Sequence, residues 1–196
     1  MALVDIAGHT IETSIIDDGA IIDIGCRGFA FADYFYFHGY GCPIYCVDPD
    51  KSVFDLRIID GKYYINAAIS NKSGESAIYI NGEATCLKEI DPDQGHPFIP
   101  CKTMTMDELY EITGTNIDIL KLDCEGAEYM ILGESFKPIP KQISVEFHNH
   151  TVPEMHKANI DGILKRLGEH YNINRSVWEE RHGCGFNFWD VLFIKK

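Results

Sequence analysis

The sequence predicts a single α/β domain, residues 1–196, in which a mainly parallel sheet carries helices on both faces. Two observations support this prediction. Short apolar runs alternate with segments of helical pattern, which is the order that produces a parallel sheet covered by helices. The length of 196 residues suits one domain with a sizeable core. The last two strands have no helix between them, so we expect them to form an antiparallel hairpin.

In the first half of the chain, apolar runs that end at a glycine or an aspartate predict buried strands. Three such strands are predicted at 20–24, 43–47 and 63–69. Helical segments follow the first two, at 29–38 and 51–60. The turn residues of 71–74 predict that 76–80 returns as an outer strand. Residues 82–101 show the least regular pattern.

In the second half, the clearest helix start is Thr105, whose hydroxyl can cap the helix at 106–112. Further strands are predicted at 117–122 and 142–147, and further helices at 126–132 and from 153 onward. The C-terminal hairpin is predicted to pair 171–178 with 186–194. In such sheets ligands bind at the carboxyl ends of the strands, so the residues just after each strand are the candidates for a site.

The composition excludes several kinds of partner. Thirty acidic against 17 basic residues give a formal charge of −13, which repels phosphate backbones and anionic lipids. We therefore expect neither a nucleic acid nor a membrane as partner. No apolar run is long enough to span a bilayer, and the start of the chain does not resemble a secretion signal. The seven cysteines contain no Cys-x-x-Cys pair, which favours free thiols in a reducing, cytoplasmic compartment over a structural metal.

Two strand ends suit a nucleoside-type ligand. The first strand continues Asp23-Ile-Gly25-Cys26-Arg27-Gly28, where the glycines allow close approach of backbone to a ligand. A carboxylate next to this loop suits a ligand amino group better than phosphates. The second strand ends at Asp48, at a spacing from the loop typical of an acid that accepts both hydroxyls of a ribose. An ordinary βα turn and a helix cap would explain each feature alone.

The most specific segment is 117–128, Ile-Asp-Ile-Leu-Lys-Leu-Asp-Cys-Glu-Gly-Ala-Glu, which places three acids at a strand-to-helix turn. With 21–25 (Ile-Ile-Asp-Ile-Gly), 47–50 (Val-Asp-Pro-Asp) and 66–74 (Asn-Ala-Ala-Ile-Ser-Asn-Lys-Ser-Gly), it resembles the FkbM-type methyltransferases. These belong to the class I enzymes that depend on S-adenosylmethionine. The resemblance implies a Rossmann-like fold with a mainly parallel seven-stranded sheet and a C-terminal antiparallel hairpin. It covers about residues 18–150.

The resemblance also implies a cofactor site for S-adenosyl-L-methionine. The backbone of the loop would face the methionine part and the ribose, Asp48 would hold the ribose hydroxyls, and Asp123 would lie near the methyl end. The cofactor-binding residues expected in full are Asp23, Gly25, Cys26, Arg27, Gly28, Asp48, Pro49, Ala68, Ile69, Ser70 and Asp123. The loop departs from the family pattern, because Gly25 and Gly28 are one residue closer together than usual.

The expected reaction is methylation of a hydroxyl on a small molecule or sugar, which requires alignment of the reactants and a base for an alcohol. The candidate bases are His148, Glu146 and Glu125, in falling order. A metal is not expected, although Asp123, Glu146 and His148 could together hold a divalent ion. Two alternatives remain open at this point: an NAD-dependent oxidoreductase with a degenerate glycine loop, and a relative that binds the cofactor without catalysis.

Overall fold

The computed structural model describes residues 2–54, 61–81, 84–87, 98–148, 153–175, 179–180 and 187–196. Its strands in chain order are β1 Leu3–Ile6, β2 His9–Glu12, β3 Ala20–Ile24, β4 Ile44–Val47, β5 Lys62–Ile65, β6 Ala68–Ile69, β7 Gly74–Asn81, β8 Ala84–Leu87, β9 Phe98–Met104, β10 Ile117–Leu122, β11 Gln142–His148, β12 Tyr171–Arg175, β13 Glu179–Glu180 and β14 Asn187–Lys195. Its α-helices are α1 Ala30–Phe37, α2 Met106–Thr113, α3 Glu128–Ile131 and α4 Pro153–Leu167.

The main sheet has the strand order β12-β14-β11-β10-β3-β4-β5, with the short β13 beside β14. The five strands from β11 to β5 are parallel, and β14 runs antiparallel to both β11 and β12. The α/β class, the parallel centre and the antiparallel C-terminal pairing are thus confirmed. The expected count of seven strands was wrong: the described part of this mixed sheet has eight, because the two-residue β13 is too short to leave a periodic signal.

The centre of the sheet is buried on both faces, which explains why its strands are almost continuously apolar. Every residue of β3 and β10 is buried. One face packs against α1 and the β1–β2 hairpin, and the opposite face packs against α2, α3 and α4. Helices therefore cover both faces, as predicted. The predicted cap of α2 is also present, since the Thr105 hydroxyl accepts from the Glu108 amide and Glu108 bonds back to the Thr105 amide.

Several predicted elements differ from the structure. The strand expected at 63–69 divides into β5 and β6, and β6 leaves the main sheet for a second, four-stranded one of order β6-β9-β7-β8. The outer strand expected at 76–80 is β7 of that second sheet. The helix expected at 51–60 begins as a 3-10 turn, Lys51–Val53, and its part at 55–60 lies outside the described residues. Within 126–132 the regular helix is only α3.

The N-terminal hairpin β1–β2 was not predicted. Its two-residue turn, Ala7-Gly8, has positive φ at both positions, as tight hairpins require. The hairpin is anchored under the main sheet by Gln142 of β11. The Glu12 amide donates to Gln142 Oε1 at 2.9 Å, and Gln142 Nε2 donates to the Glu12 carbonyl at 3.0 Å. This anchor brings His9 close to the centre of the sheet.

Across the ranges that the structure describes, none of the helices combines the length and the apolar character needed to cross a membrane.

Candidate functional site at the carboxyl edge of the parallel strands

The predicted strand-end residues meet at one edge of the main sheet. Ile65, Val47, Ile24, Leu122 and Val145 are aligned across five adjacent parallel strands. The residues that follow them form the next row: Asn66, Asp48, Gly25, Asp123 and Glu146. Strand order reverses between β3 and β10, so Gly25 and Asp123 flank the position where α/β sheets bind ligands.

The glycine loop, residues 25–28, depends on Gly25. Gly25 has φ of +77°, and a Cβ at this position would lie 1.7 Å from the Asp123 carbonyl oxygen. Only glycine allows the two strand ends to approach so closely. Gly28 also has positive φ, +81°, but a Cβ there would have no atom within 4 Å. Gly25 is thus required by space and conformation, and Gly28 by conformation alone.

Lys121 lies beneath the glycine loop and joins the two sides of the site. Its Nζ donates to the Gly25 carbonyl at 2.6 Å and lies 3.1 Å from Asp23 Oδ1 and 3.4 Å from Asp123 Oδ2. Burial alone would lower the pKa of Lys121, but Asp23 and Asp123 outweigh it and raise that pKa. Asp23, which we expected at the cofactor, is itself buried and paired with this lysine. Sequence reasoning assigned Lys121 no role, although a lysine within an apolar strand was a signal.

Asp48 lies at the end of β4 with a buried carboxylate that accepts the Asp50 amide at 2.8 Å. Burial raises the pKa of Asp48 to about 6. Asn66, which the sequence analysis did not select, fixes this turn: its Nδ2 donates to the carbonyls of Asp48 and Pro49, at 3.0 Å each. The expected ribose acid therefore has a defined position beside the glycine loop.

The other expected cofactor residues do not belong to the row of strand ends. The Cys26 side chain is buried, and burial raises the pKa of its thiol, so the loop can offer a ligand only its backbone here. Arg27 is exposed, with Nη1 3.9 Å from Asp50 Oδ2. Ala68 and Ile69 form β6 of the second sheet, where the Ser70 amide donates to the Met104 carbonyl. These three follow Asn66 in sequence but lie outside the row of strand ends.

On the other side of Gly25, five side chains form what we call the acidic cluster: His9, Asp123, Glu125, Glu146 and His148. His148 Nε2 lies 3.5 Å from Asp123 Oδ1, 3.7 Å from Glu125 Oε2 and 3.8 Å from Glu146 Oε1. His9 Nε2 lies 3.7 Å from Asp123 Oδ2. The three expected bases, His148, Glu146 and Glu125, are thus brought together around Asp123. Sequence reasoning missed His9, whose position depends on the unpredicted hairpin.

Glu128 fixes the positions of two members of this cluster, Glu125 and His148. Its buried carboxylate accepts the amides of Cys124 at 2.6 Å and Gly126 at 2.9 Å, which fixes the turn that carries Glu125 with φ of +52°. The same carboxylate accepts from His148 Nδ1 at 3.1 Å. Nε2 of His148 is thereby aimed at the other carboxylates. The sequence analysis included Glu128 in the acidic segment but not among the site residues.

The cluster concentrates negative charge. Burial would lower the pKa of His148, but Glu128, Glu125 and Asp123 raise it to about 10. Burial raises the pKa of Glu125 to about 6 and also raises that of Glu146. Burial opposes ionisation of Asp123 too, but Lys121 and the two histidines hold its pKa below the ordinary value. Such a group of carboxylates favours a cationic occupant.

The fold and this edge define an α/β protein with a candidate ligand site at the switch point of a parallel sheet. The chain belongs to the FkbM methyltransferase family: the sequence model of the Methyltransferase FkbM domain matches residues 23–173. The expected family is thereby confirmed. The match covers the glycine loop, Asp48 and most of the acidic cluster, and leaves out His9.

The solved structures that are similar to this chain include the following two. One is M. capricolum TrmK in complex with S-adenosyl-homocysteine, with a TM-score of 0.47, 15% identity and coverage of 93% of this chain and 64% of that chain. The other is a proposed rRNA methylase from Clostridium thermocellum, with a TM-score of 0.44, 10% identity and coverage of 93% and 90%. This chain therefore spans less than two-thirds of the TrmK chain. No relative was found among the curated proteins.

Proposed function

We propose that the protein transfers a methyl group from S-adenosyl-L-methionine to a hydroxyl oxygen of a small molecule or sugar. One observation carries the proposal. In a member of a methyltransferase family, Gly25, Asp48 and Asp123 lie side by side at the switch point of the sheet. Membership of the family supports methyl transfer, and the geometry supports a nucleoside cofactor.

The residues present fit this cofactor. Gly25 and Gly28 have no side chain, which leaves the backbone of the loop without side-chain cover at these positions. Asp48 follows the adjacent strand, β4, and offers a carboxylate of the kind that accepts both hydroxyls of a ribose. The carboxylate of Asp123, a third exposed, lies on the opposite side of Gly25 and can receive the amino group of the methionine part. When bound, the cofactor supplies an activated methyl group on a positively charged sulfur, which the negative charge of this edge favours.

The acidic cluster is the proposed place of the acceptor. It includes Asp123, so a hydroxyl held there would lie next to the methyl end of the cofactor. Methyl transfer requires alignment of the acceptor oxygen with the methyl carbon and the sulfur. It also requires a group that takes the hydroxyl proton. Glu125, Glu146 and His148 all face this position. A pKa of about 10 keeps His148 protonated at neutral pH, which favours a glutamate as the base, and the choice between Glu125 and Glu146 stays a prediction.

The charge of the chain favours a small acceptor over a nucleic acid. With a formal charge of −13 and four acids close to the proposed acceptor position, an approaching phosphate backbone would be repelled. A neutral hydroxyl compound would not be. The same reasoning disfavours the pyrophosphate of NAD, which the oxidoreductase alternative requires.

Calorimetry with S-adenosyl-homocysteine and with NAD tests the proposal. We expect saturable heat with the former only. Asp48→Ala should weaken that binding about tenfold or more, because hydrogen bonds to a charged group are lost. The control is Asp161→Ala, which removes an exposed acid of α4 and should leave the affinity unchanged.

Absence of binding to S-adenosyl-homocysteine would overturn the proposal. Unchanged affinity in Asp48→Ala would overturn the ribose assignment alone. Binding without methylation of any compound in a panel of hydroxyl acceptors would favour the non-catalytic alternative.

A further inference from the structure

The two histidines of the acidic cluster are arranged alike, although positions 9 and 148 lie 139 residues apart in the sequence. His9 is on β2 and His148 ends β11. Each is 2% exposed, and each has its Nδ1 held by another side chain: Ser144 Oγ at 3.2 Å for His9 and Glu128 Oε1 at 3.1 Å for His148. Each therefore directs Nε2 toward Asp123. Histidines that bind a metal are usually anchored in this way, through the ring nitrogen that does not contact the ion.

His9 Nε2 provides the observation that calls for a ligand. It is buried and, among the residues that the structure describes, has no hydrogen-bond partner. A buried polar atom left without a partner destabilises the folded state, so native structures rarely keep one without a reason. In the tautomer in which Nδ1–H donates to Ser144, Nε2 presents a lone pair to the cluster. Asp123 Oδ2 lies 3.7 Å from this atom, beyond hydrogen-bond distance.

The donor atoms are close enough to share an ion. One set of three, His9, Asp123 and Glu146, has one ligand atom from each residue within 4.8 Å of the others, and a second set, Asp123, Glu125 and His148, has the same property. Ligands about 2.0–2.2 Å from a common ion lie up to about 4 Å apart, so small side-chain adjustments bring either set to bonding distance. Asp123 belongs to both sets.

We propose that the acidic cluster binds one divalent transition-metal ion, with His9, Asp123 and Glu146 as ligands. The mixture of imidazole and carboxylate donors suits Mn²⁺, Fe²⁺, Co²⁺ or Zn²⁺ better than Mg²⁺ or Ca²⁺, which prefer oxygen alone. The ion would neutralise the carboxylates and complete the coordination of His9. Lys121 lies on the loop side of Asp123, 3.4 Å from Oδ2, and balances only part of the negative charge.

The site also suggests how an acceptor would be held. If the protein is a methyltransferase as proposed above, an open coordination position on the ion would bind the acceptor's hydroxyl oxygen next to the methyl end of the cofactor. The metal site itself does not depend on that function, since it rests on donor geometry and on His9.

Metal binding can be measured on the full chain after removal of metal with a chelator. The protein is titrated separately with Mn²⁺, Co²⁺, Zn²⁺ and Mg²⁺ by calorimetry, and Co²⁺ is also followed by visible absorption. We expect one ion per chain for the transition metals and much weaker binding of Mg²⁺. His9→Asn and Glu146→Gln should each weaken affinity about tenfold or more. Glu134→Gln, which alters an exposed acid outside the cluster, should bind as the unmodified protein does.

Two outcomes would overturn the proposal: no saturable uptake of any of the three transition metals, or uptake that neither His9→Asn nor Glu146→Gln changes. If His9→Asn does not fold, Glu146→Gln decides. S-adenosyl-homocysteine binding, measured in the presence of chelator, separates the two proposals. Cofactor binding without metal uptake refutes the metal site alone, and metal uptake without cofactor binding refutes the proposed function alone.

Discussion

The glycine loop and the acidic cluster lie on the same edge of the sheet but are built in different ways. The loop is a backbone structure: Gly25 is there because a side chain would collide with the Asp123 carbonyl oxygen. The cluster is a side-chain structure whose members come from β2, the turn before α3 and β11. The first follows from local conformation, and the second exists only when distant segments of the chain have packed together.

Lys121 connects these two regions. It donates to the loop at Gly25 and contacts Asp123 of the cluster, and it also pairs with the buried Asp23. The loop depends on backbone conformation and the cluster on the packing of distant segments, but both contact one buried cation, Lys121. A change at Lys121 should therefore disturb both regions.

The largest loss of stability is expected for Lys121→Met. Removal of the ammonium group leaves Asp23 buried without its counter-charge, which typically costs about 3–5 kcal/mol of unfolding free energy. Urea unfolding at neutral pH measures this. The control is Lys137→Met, whose pair with Asp107 at 2.7 Å is exposed on both sides and should cost less than about 1 kcal/mol. Equal losses in the two variants would show that Lys121 does not hold the site together.

Gly25→Ala, a change in the loop, should cause the next largest loss of stability. The new Cβ would require both a left-handed backbone and displacement of the Asp123 carbonyl, a combined cost of about 3 kcal/mol. Gly28→Ala is the matched control, since it shares the positive φ but has open space, and should cost about 1–2 kcal/mol. The two are compared by urea unfolding. If Gly28→Ala proved as costly as Gly25→Ala, the close approach to Asp123 would not be what selects glycine.

The contrast between the regions also explains what could be predicted from the sequence. Gly25 and Asp48 were predictable because a buried strand followed by a glycine or an acid is a local pattern, and parallel strands bring such ends together. Asp123, Glu125 and Glu128 stood out for the same reason. The gathering of the expected bases around Asp123 followed from strand order, which the alternation of elements largely determines.

The parts that could not be predicted depend on contacts between distant residues. His9 meets Ser144 across 135 positions of sequence, and no periodicity reports such a pairing. The β1–β2 hairpin had a turn signal at Ala7-Gly8, but its docking rests on Gln142. The position of β6 in the second sheet likewise depends on its pairing with β9. A strand of two residues is too short for its sequence to predict that pairing.

The smallest predicted effect is a pH dependence of the affinity for S-adenosyl-homocysteine, which we assign to Asp48 and not to the acidic cluster. The carboxyl of Asp48 has a pKa of about 6 because of burial, with Asp50 as a further acidic neighbour and Arg27 and Lys121 as opposing cations. This pKa lies above the ordinary value, so the acid is ionised above pH 6 and protonated below it. An ionised Asp48 is the better acceptor for ribose hydroxyls, and affinity for S-adenosyl-homocysteine should therefore fall as pH decreases through 6.

Between pH 7.5 and pH 5 we expect that affinity to fall about tenfold, since one pH unit below the pKa leaves about a tenth of the carboxylate ionised. Calorimetry at both pH values measures the change. Glu125, whose pKa is also raised to about 6, titrates in the same range, so Asp48→Asn is the control that distinguishes the two acids. This variant should bind more weakly at pH 7.5 but with an affinity that no longer changes with pH. A slope that survives in Asp48→Asn would place the titrating group in the acidic cluster and show that the two regions are coupled during cofactor binding.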